Sequence, residues 1–326
     1  MHLFILHIEP KMARYPPGRI YAWENRMKEM KGYIVPIFTP FNRDGSIDHG
    51  AMRQNVSYLI DEGIAGITLT GSFGEFPLLS TTERVGLYEI AVDEAAGRCT
   101  IIAGTSDAST DTVIQLSDAA TKCGADGLMI VPPPYMLPSE RDLSNHFRQI
   151  ADRVSLPITV YNNPPRTGFS MSTDLLVELS GLDRIVSVKQ SSQNFFDLLE
   201  LIRLTTDEPG FWVTNGQEHW AFPALMMGAQ ATYGVSPLLI GRECIDLYDC
   251  ARRGDVQRGR AIQLKVNMIR AALRRCKATP AACIRELSNM RGLAGGYSRA
   301  PITELSAEDK QVLRDASEVV GITPAA

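Results

Sequence analysis

The chain has 326 residues, of which 44% are hydrophobic and 21% charged, and its formal net charge at pH 7 is −4. This is an ordinary globular composition, and the length suits one large domain with an appendage. The acidic net charge disfavours nucleic acid as a partner. No apolar run approaches the roughly 18 residues that a membrane span requires, so we expect no membrane association.

The cysteines and histidines indicate a protein without disulfides or a metal site. The six cysteines are scattered and include no CxxC pair, which is typical of a reduced cytoplasmic protein. The five histidines show no metal-ligand spacing. The chain also lacks a Walker motif and a dinucleotide fingerprint, so we expect no cofactor.

The N-terminal residues 1–31 have the features of a tail. The apolar segment Leu3–Leu6 is too short for the core of a signal peptide, and no lysine or arginine precedes it. The Pro-Pro-Gly sequence at 16–18 interrupts any regular element. We therefore predict a dispensable tail that ends just before the first strand.

From residue 32 onwards, short apolar runs alternate with helical patterns. The runs that predict buried strands are Ile34–Phe38, Ile67–Leu69, Ile101–Ala103, Leu128–Val131, Ile158–Val160, Ile185–Val188, Phe211–Val213 and Ala231–Tyr233. Between them apolar residues recur at helical spacing, and Ser80 with Glu83 forms a capping-box pattern at one helix start. This alternation predicts a (β/α)8 TIM barrel over residues 32–250.

An open, doubly wound sheet is the alternative architecture. It would favour a glycine-rich phosphate-binding turn after the first strand, and residues 39–42 (Thr-Pro-Phe-Asn) form no such turn. After the eighth strand the alternation stops, and helical patterns separated by glycine and proline fill the rest of the chain. We therefore predict a helical C-terminal subdomain over residues 251–326.

The carboxyl ends of the predicted strands carry a chemically coherent set of residues. In a TIM barrel the active site is built from the loops at these ends. The residues found there are Gly71–Glu75, Pro132–Tyr135, Tyr161–Gly168, Lys189, Asn215, Gly216 and Gly234–Ser236. We therefore look for the reactive groups among them.

Lys189 is the candidate nucleophile. It follows the apolar run Ile185–Val188, where burial would disfavour the ammonium and make the neutral amine available. The alternative is a lysine whose stem packs while its head reaches solvent. Tyr161 ends the adjacent strand, so its hydroxyl can carry protons for an imine formed at Lys189. A packed tyrosine with a satisfied hydroxyl is the alternative there.

Two further groups suit the binding of anions. The glycines of the loop Gly71–Glu75 let its backbone approach a ligand and present N–H groups to a carboxylate, with a simple glycine-requiring turn as the alternative. We expect Glu75 to brace this loop by accepting backbone N–H bonds. Arg166 can hold a second substrate anion through paired hydrogen bonds, with a surface ion pair as the alternative.

In their order and spacing, these residues resemble the dihydrodipicolinate synthase/N-acetylneuraminate lyase family of pyruvate-dependent class I aldolases. The likeness runs from about Gly32 to the C-terminus. It rests on Val35–Pro40, Gly71–Glu75, Tyr161–Gly168 and the strand that ends at Lys189. The resemblance implies a TIM-barrel enzyme that forms a lysine Schiff base without a metal, and a homotetramer built as a dimer of dimers.

The resemblance also implies catalytic roles for individual residues. Lys189 matches the Schiff-base lysine and Tyr161 the general acid/base. Ser72 and the backbone around Phe73 match the cradle for the carboxylate of the 2-oxo acid. Tyr135 matches a tyrosine that crosses a dimer interface and relays protons through the Ser72 hydroxyl.

Arg166 matches the arginine that receives the carboxylate of the second substrate in the synthase branch. The lyase branch specific for sialic acid resembles the chain less, because it lacks this arginine. The remaining residues of the predicted substrate-binding set lie at the last two strand ends: Asn215, Gly216, Val235 and Ser236.

Two positions depart from the synthase pattern. The synthase usually has two threonines where this chain has Ser72 and Phe73, and Pro134 replaces a tyrosine next to Tyr135. The Gly-Ser-Phe-Gly-Glu form is closer to relatives that act on bulkier aldol partners. A Phe73 ring that faces the cavity would favour an apolar or aromatic partner, whereas one that faces the barrel layers would only pack.

We therefore predict a cytoplasmic, metal-independent Schiff-base lyase or aldolase that acts on pyruvate or a pyruvate-derived 2-oxo acid. Its reaction would be the formation or cleavage of a C–C bond, or dehydration. The alternative within this class is dihydrodipicolinate (4-hydroxy-tetrahydrodipicolinate) synthase. The alternative of another class is a barrel that binds a 2-oxo acid without turning it over.

Overall fold

The structure, a computed structural model, describes residues 31–208 and 210–322. Eight parallel strands pair in chain order, and β8 pairs with β1 to close the barrel. The strands are β1 (Gly32–Pro36), β2 (Gly66–Leu69), β3 (Thr100–Gly104), β4 (Gly127–Ile130), β5 (Ile158–Asn162), β6 (Ile185–Gln190), β7 (Trp212–Asn215) and β8 (Ala231–Tyr233). The predicted (β/α)8 barrel is thus confirmed, and the open doubly wound sheet is wrong.

Helices follow the strands and then continue beyond the barrel. They are α1 (His49–Glu62), α2 (Thr81–Ala95), α3 (Thr110–Cys123), α4 (Glu140–Arg153), α5 (Pro164–Thr167), α6 (Thr173–Ser180), α7 (Phe195–Thr205), α8 (Ala221–Met226), α9 (Pro237–Arg253), α10 (Val256–Arg275), α11 (Pro280–Arg291) and α12 (Ala307–Val320). The predicted capping box opens α2, since Ser80 and Glu83 each accept the other's backbone N–H.

Two apolar cores follow from the alternation of side chains along each strand. The outer core lies between strands and helices and takes residues such as Leu69, Val160 and Val188. The inner core fills the barrel with Ile34, Ile102, Met129, Val131, Tyr161, Val186, Ala231 and Tyr233. The inner face at the carboxyl ends of the strands is therefore where reactive side chains meet.

Strand β6 breaks the alternation with a bulge. Ile158 of β5 pairs with Ile185, but the next residue, Thr159, pairs with Ser187, so Val186 has no partner on β5. Beyond the bulge Val188 lies in the outer core, and Lys189 pairs with Tyr161 on the inner face. The extra residue is therefore what turns Lys189 into the barrel.

The domain limits stay predictions. Helix α9 ends at Arg253, so it runs through the predicted boundary at residue 250. The predicted tail lies outside the described residues except for Lys31. Within the described ranges, no helix is long and apolar enough to cross a bilayer.

Candidate active site

Lys189 is almost completely buried at the mouth of the barrel, with 3% of its surface exposed. Its neighbours on the adjacent strands are Tyr161 of β5 and Thr214 of β7. The side chain therefore does not reach out to solvent, and its amine lies inside the barrel.

The amine of Lys189 is surrounded by polarisable groups, and no residue that the structure describes provides a counter-ion. Its Nζ lies 3.9 Å from the ring centroid of Tyr161 and 4.3 Å from that of Tyr233. The Sδ atom of Met129 is 4.0 Å from Nζ. Burial lowers the pKa of Lys189, and the nearby Tyr161 opposes this shift only in part. The environment thus favours the neutral, nucleophilic amine.

Tyr161 is held in place by Asn163, the first residue after β5. The Nδ2 atom of Asn163 donates a hydrogen bond of 2.9 Å to the Tyr161 hydroxyl oxygen. Asn163 caps α5, which begins at Pro164, and this fixes its backbone. Because the Tyr161 oxygen accepts this bond, its own proton remains available for a reacting atom near Lys189.

The loop after β2 lies against the same group of side chains. A Cβ on Gly71 would come 3.0 Å from Cε of Met129, and one on Gly74 would come 2.8 Å from the backbone of Thr70. Glycine at both positions therefore lets the loop turn tightly next to the amine. Among the described residues, none accepts the backbone N–H of Ser72 or Phe73. Two donors thus remain for an anion.

Glu75 does not brace the loop in the predicted way. Instead of accepting backbone N–H bonds, its carboxylate pairs with the guanidinium of Arg285 in α11, and both side chains are buried. The Glu75 backbone is in the left-handed region, with φ of 53°. The prediction is wrong because the partner comes from a helix 210 residues away, which no local pattern reveals.

Phe73 and Phe76 point to different sides of the barrel wall. Phe73 packs against the outer core, whereas Phe76 packs against the inner core. The Phe73 ring is half-buried and packs against the outer core, which favours the packing alternative. Phe76, which the sequence analysis did not single out, is the aromatic residue of this loop nearest the barrel interior.

The end of β7 contains one position that needs glycine and one that supports the loop. A Cβ on Gly216 would come 1.8 Å from the Oγ atom of Ser191, so the backbone here lies directly over the chain that follows Lys189. Asn215 is fully buried and donates to Thr232 and Gln217, while its Oδ1 accepts from Trp220. These bonds occupy the amide. Asn215 therefore supports the loop, and its geometry does not favour direct contact between its side chain and a substrate.

The end of β8 is also packed away from the cavity. Val235 packs with the outer core two residues after β8 ends at Tyr233, although strict alternation from the inward-facing Tyr233 would place it on the inner face. The backbone N–H of Ser236 donates to Oε1 of the buried Glu218 at 2.8 Å, and Oε1 also accepts from Tyr33 at 2.7 Å. The backbone N–H of Ser236 is therefore occupied, whereas its buried Oγ atom has no hydrogen-bond partner among the described residues.

Two predicted site residues, Arg166 and Tyr135, lie away from the side chains around Lys189 within one chain. Arg166 is exposed in α5 and pairs with no acidic side chain in the described ranges. Tyr135 is 93% exposed, so its side chain lies outside this group. Neither contacts Lys189 in the single chain.

Sequence reasoning missed Tyr233, Asn163 and Arg285. Tyr233 carried a usable signal, since it is the last residue of the eighth predicted strand. Asn163 lies within the strand-end segment Tyr161–Gly168 but was given no role. Arg285 gave no signal, because it lies in the C-terminal helices. In the described part of the chain, no cluster of three or more His, Cys, Asp or Glu side chains is arranged to hold a metal.

Comparison of the sequence with those of known proteins identifies a family that the chain matches. A sequence model of the dihydrodipicolinate synthetase family matches residues 29–319. The 4-hydroxy-tetrahydrodipicolinate synthase of Methanospirillum hungatei is 31% identical over 288 residues, which cover 87% of this chain and 97% of that protein. The enzyme of the same name from Oceanobacillus iheyensis is 33% identical, with coverage of 86% and 94%.

Solved structures give the same result. Dihydrodipicolinate synthase from Aquifex aeolicus superposes with a TM-score of 0.85 at 31% identity, covering 91% of this chain and all of that one (100%). A prophage protein of the dihydrodipicolinic acid synthase family from Escherichia coli K12, solved with pyruvate, gives a TM-score of 0.86 at 26% identity, with coverage of 90% and 100%.

Proposed function

Because the chain belongs to the dihydrodipicolinate synthetase family and is a lyase or synthase of the class I aldolase type, we propose that Lys189 is its nucleophile toward pyruvate or a pyruvate-derived 2-oxo acid. The observation that carries this proposal is the buried amine of Lys189, which has no counter-ion among the described residues and lies against Tyr161. Burial without a counter-ion is what makes a lysine reactive near neutral pH.

The proposed reaction begins with attack of the neutral amine on the ketone carbon. The nitrogen gives its electron pair to carbon, and a proton moves to the ketone oxygen to form a carbinolamine. Tyr161 supplies a proton to the departing hydroxyl, which leaves as water while the C=N bond forms. The resulting iminium withdraws electrons from the neighbouring carbon, so a proton can be removed there or a C–C bond made or broken.

The carboxylate of the 2-oxo acid would lie in the loop after β2. The backbone N–H groups of Ser72 and Phe73 have no protein acceptor in the described residues, and Gly71 contacts the Met129 side chain that lines the amine. A carboxylate bound there would hold the ketone carbon next to Lys189. Gly216 lets the backbone pass close to Gln190 and Ser191, the two residues that follow the nucleophile.

Trapping with borohydride tests this proposal. Incubation with pyruvate and borohydride is expected to add a reduced pyruvyl group to one peptide, the one that contains Lys189. EDTA should leave the reaction unchanged. An adduct on another lysine, or none with any 2-oxo acid, would contradict the mechanism. An adduct without exchange of the pyruvate methyl protons in D2O would indicate the non-catalytic binding barrel.

A second candidate function is that of 4-hydroxy-tetrahydrodipicolinate synthase, which condenses pyruvate with aspartate semialdehyde. The names of the curated relatives favour it, and so does Arg166, which is exposed and unpaired among the described residues. The measurement is kcat/KM for this condensation in the wild type and in Arg166→Met. Absent condensation in the wild type would argue for a different partner, and a turnover that does not depend on Arg166 would contradict the role given to this residue.

We further propose that the active form contains more than one copy of the chain, as a dimer of dimers. Tyr135, Met136 and Leu137 are exposed by 93%, 63% and 63%, and Tyr135 and Leu137 have left-handed φ values of 74° and 47°. An exposed apolar loop held in a costly conformation suits an interface. In this arrangement Tyr135 would enter the site of the second copy and contact Ser72 there.

Subunit mixing tests this arrangement. Lys189→Arg removes the nucleophile, and Tyr135→Ala removes the residue given to the partner, so each variant should be inactive alone. A mixed dimer would contain one complete site, and activity should return on mixing. Mixed dimers without activity would contradict the exchange of Tyr135.

Six cysteines without a disulfide in the described chain are consistent with the proposed cytoplasmic location.

A further inference from the structure

Tyr233 is a buried tyrosine of the inner core that has no part in the steps above. It is the last residue of β8, pairs with Ile34 where the barrel closes, and is 1% exposed. Its ring centroid lies 4.3 Å from Nζ of Lys189, and that of Tyr161 lies 3.9 Å away. Because β5 and β8 are not neighbours in the barrel, the two rings approach the amine from different sides.

We propose that Tyr233 is a catalytic residue whose ring face stabilises the positive charge of the iminium at Nζ of Lys189. This inference rests on the proposed function, since it concerns the intermediate that Lys189 forms with a 2-oxo acid. The nitrogen of the iminium is the same atom as the amine nitrogen. The distance from this atom to the ring therefore already suits a cation–π contact before the substrate binds.

Within the described chain, the groups around Lys189 include no formal negative charge to balance a cation. In the described chain, no carboxylate forms an ion pair with it, and Tyr161 is the only titratable group that shifts its pKa by charge. Strand β4 presents the Met129 thioether and β7 presents Thr214, neither of which is charged. A buried cation without a counter-ion is costly, so the faces of the two rings carry the stabilisation.

The ring of Tyr233 is the active part, and its hydroxyl is not. The hydroxyl oxygen is buried next to Thr159 and Thr68, and it makes no hydrogen bond of ordinary geometry with any described residue. Burial raises the pKa of Tyr233, so the phenol stays neutral and does not act as a base. Tyr161 differs, because its hydroxyl is oriented by Asn163. Both rings thus face the cation, but only Tyr161 also has a hydroxyl placed to transfer protons.

The change in charge on forming the iminium determines the pH at which the Tyr233 ring favours adduct formation. The neutral amine, the ketone and one proton give the iminium and one water, so a positive charge appears next to the ring. An ammonium at Lys189 carries the same charge and is stabilised in the same way. The ring therefore favours adduct formation only at a pH at which the free enzyme carries the neutral amine.

The test compares Tyr233→Leu, which removes the ring, with Tyr233→Phe, which keeps it. At a pH above the pKa of Lys189, the pyruvate concentration for half-maximal borohydride adduct should rise about 2- to 30-fold in Tyr233→Leu. Tyr233→Phe should restore the wild-type value. At a pH where the free amine is protonated, the difference between the variants should disappear. Fluorinated phenylalanines at position 233, which keep the shape but weaken the ring face, should raise the value stepwise.

Each contrary outcome overturns the inference. If Tyr233→Phe is as impaired as Tyr233→Leu, the hydroxyl is responsible; if fluorination has no effect, the ring only fills space. If the wild type forms no adduct, the proposed function fails. The cation–π contact can then be tested without substrate, by measuring the pKa of Lys189 from its rate of acetylation with acetic anhydride across pH. The pKa of Lys189 should then be lower in Tyr233→Leu than in Tyr233→Phe, and equal values would refute the cation–π contact.

Discussion

Tyr161 and Lys189 are cross-strand neighbours at the ends of β5 and β6, and the Lys189 nitrogen lies 3.9 Å from the centre of the Tyr161 ring. The amine thus faces the ring of Tyr161 while the hydroxyl at the far end of that ring is held by Asn163. The ring and the hydroxyl of one side chain can therefore be tested separately.

Tyr161→Phe is expected to slow proton transfer while the Schiff base still forms at equilibrium. The variant keeps the ring next to Lys189 but loses the group that carries the proton, and such groups contribute about 10²- to 10⁴-fold in rate. The measurement is exchange of the pyruvate methyl protons in D2O, with borohydride trapping to count adducts. Normal exchange in this variant would assign the proton transfer to another group.

Lys189→Met is expected to unfold at a higher temperature than the wild type at pH 7. Burial lowers the pKa of Lys189 from its ordinary value of 10.5, so the unfolded chain binds this proton more readily than the folded one. The wild type therefore gains stability as the pH rises from the depressed pKa to 10.5, and the advantage of Lys189→Met should shrink over that window. Thermal melts across pH measure this. A constant difference would show that the folded-state pKa is not depressed.

Arg285→Met is expected to lower the free energy of unfolding by about 3 to 5 kcal/mol, because it leaves the buried Glu75 carboxylate without its partner. Arg285→Met combined with Glu75→Leu should be less destabilised than the sum of the two single variants. Urea unfolding measures both. The control is Glu286→Gln on the same helix, whose pair with Lys310 is 3.3 Å long and partly exposed; it should change stability by less than about 1 kcal/mol.

Phe73→Thr is expected to reduce stability and to leave the choice of aldol partner unchanged. The ring packs against the outer core, so its removal should cost about 1 to 3 kcal/mol. The ratio of kcat/KM for two aldehydes of different size measures selectivity, and Phe73→Leu serves as a control that keeps most of the packing. A large change in this ratio would place the ring in the cavity after all.

Deletion of residues 1–31 is expected to leave the melting temperature and adduct formation nearly unchanged. The sequence of this segment has no amphipathic periodicity and precedes the first strand. A fall of several degrees would correspond to a loss of about 1 kcal/mol or more and would show that the segment packs against the barrel. The full-length chain measured in parallel is the control.

The barrel was predictable because every strand is a short apolar run with a helix after it. The proximity of Lys189 and Tyr161 was predictable because these residues follow adjacent runs. The direction of Lys189 was not predictable. Strict alternation from Ile185 would place Lys189 on the outer face, and only the bulge at Val186 turns it inward. The contacts of Glu75 and Tyr233 were also out of reach, because they depend on which residues meet across the barrel.

The ion pair between Glu75 and Arg285 has a consequence for biosynthesis. The ribosome makes the loop after β2 early, yet the cation that neutralises its buried carboxylate comes 210 residues later. A nascent chain that already contains all eight strands and Lys189 still lacks α11. The partner of this carboxylate is therefore among the last parts of the fold to be synthesised, and we expect the loop after β2 to reach its final packing only once α11 has left the ribosome.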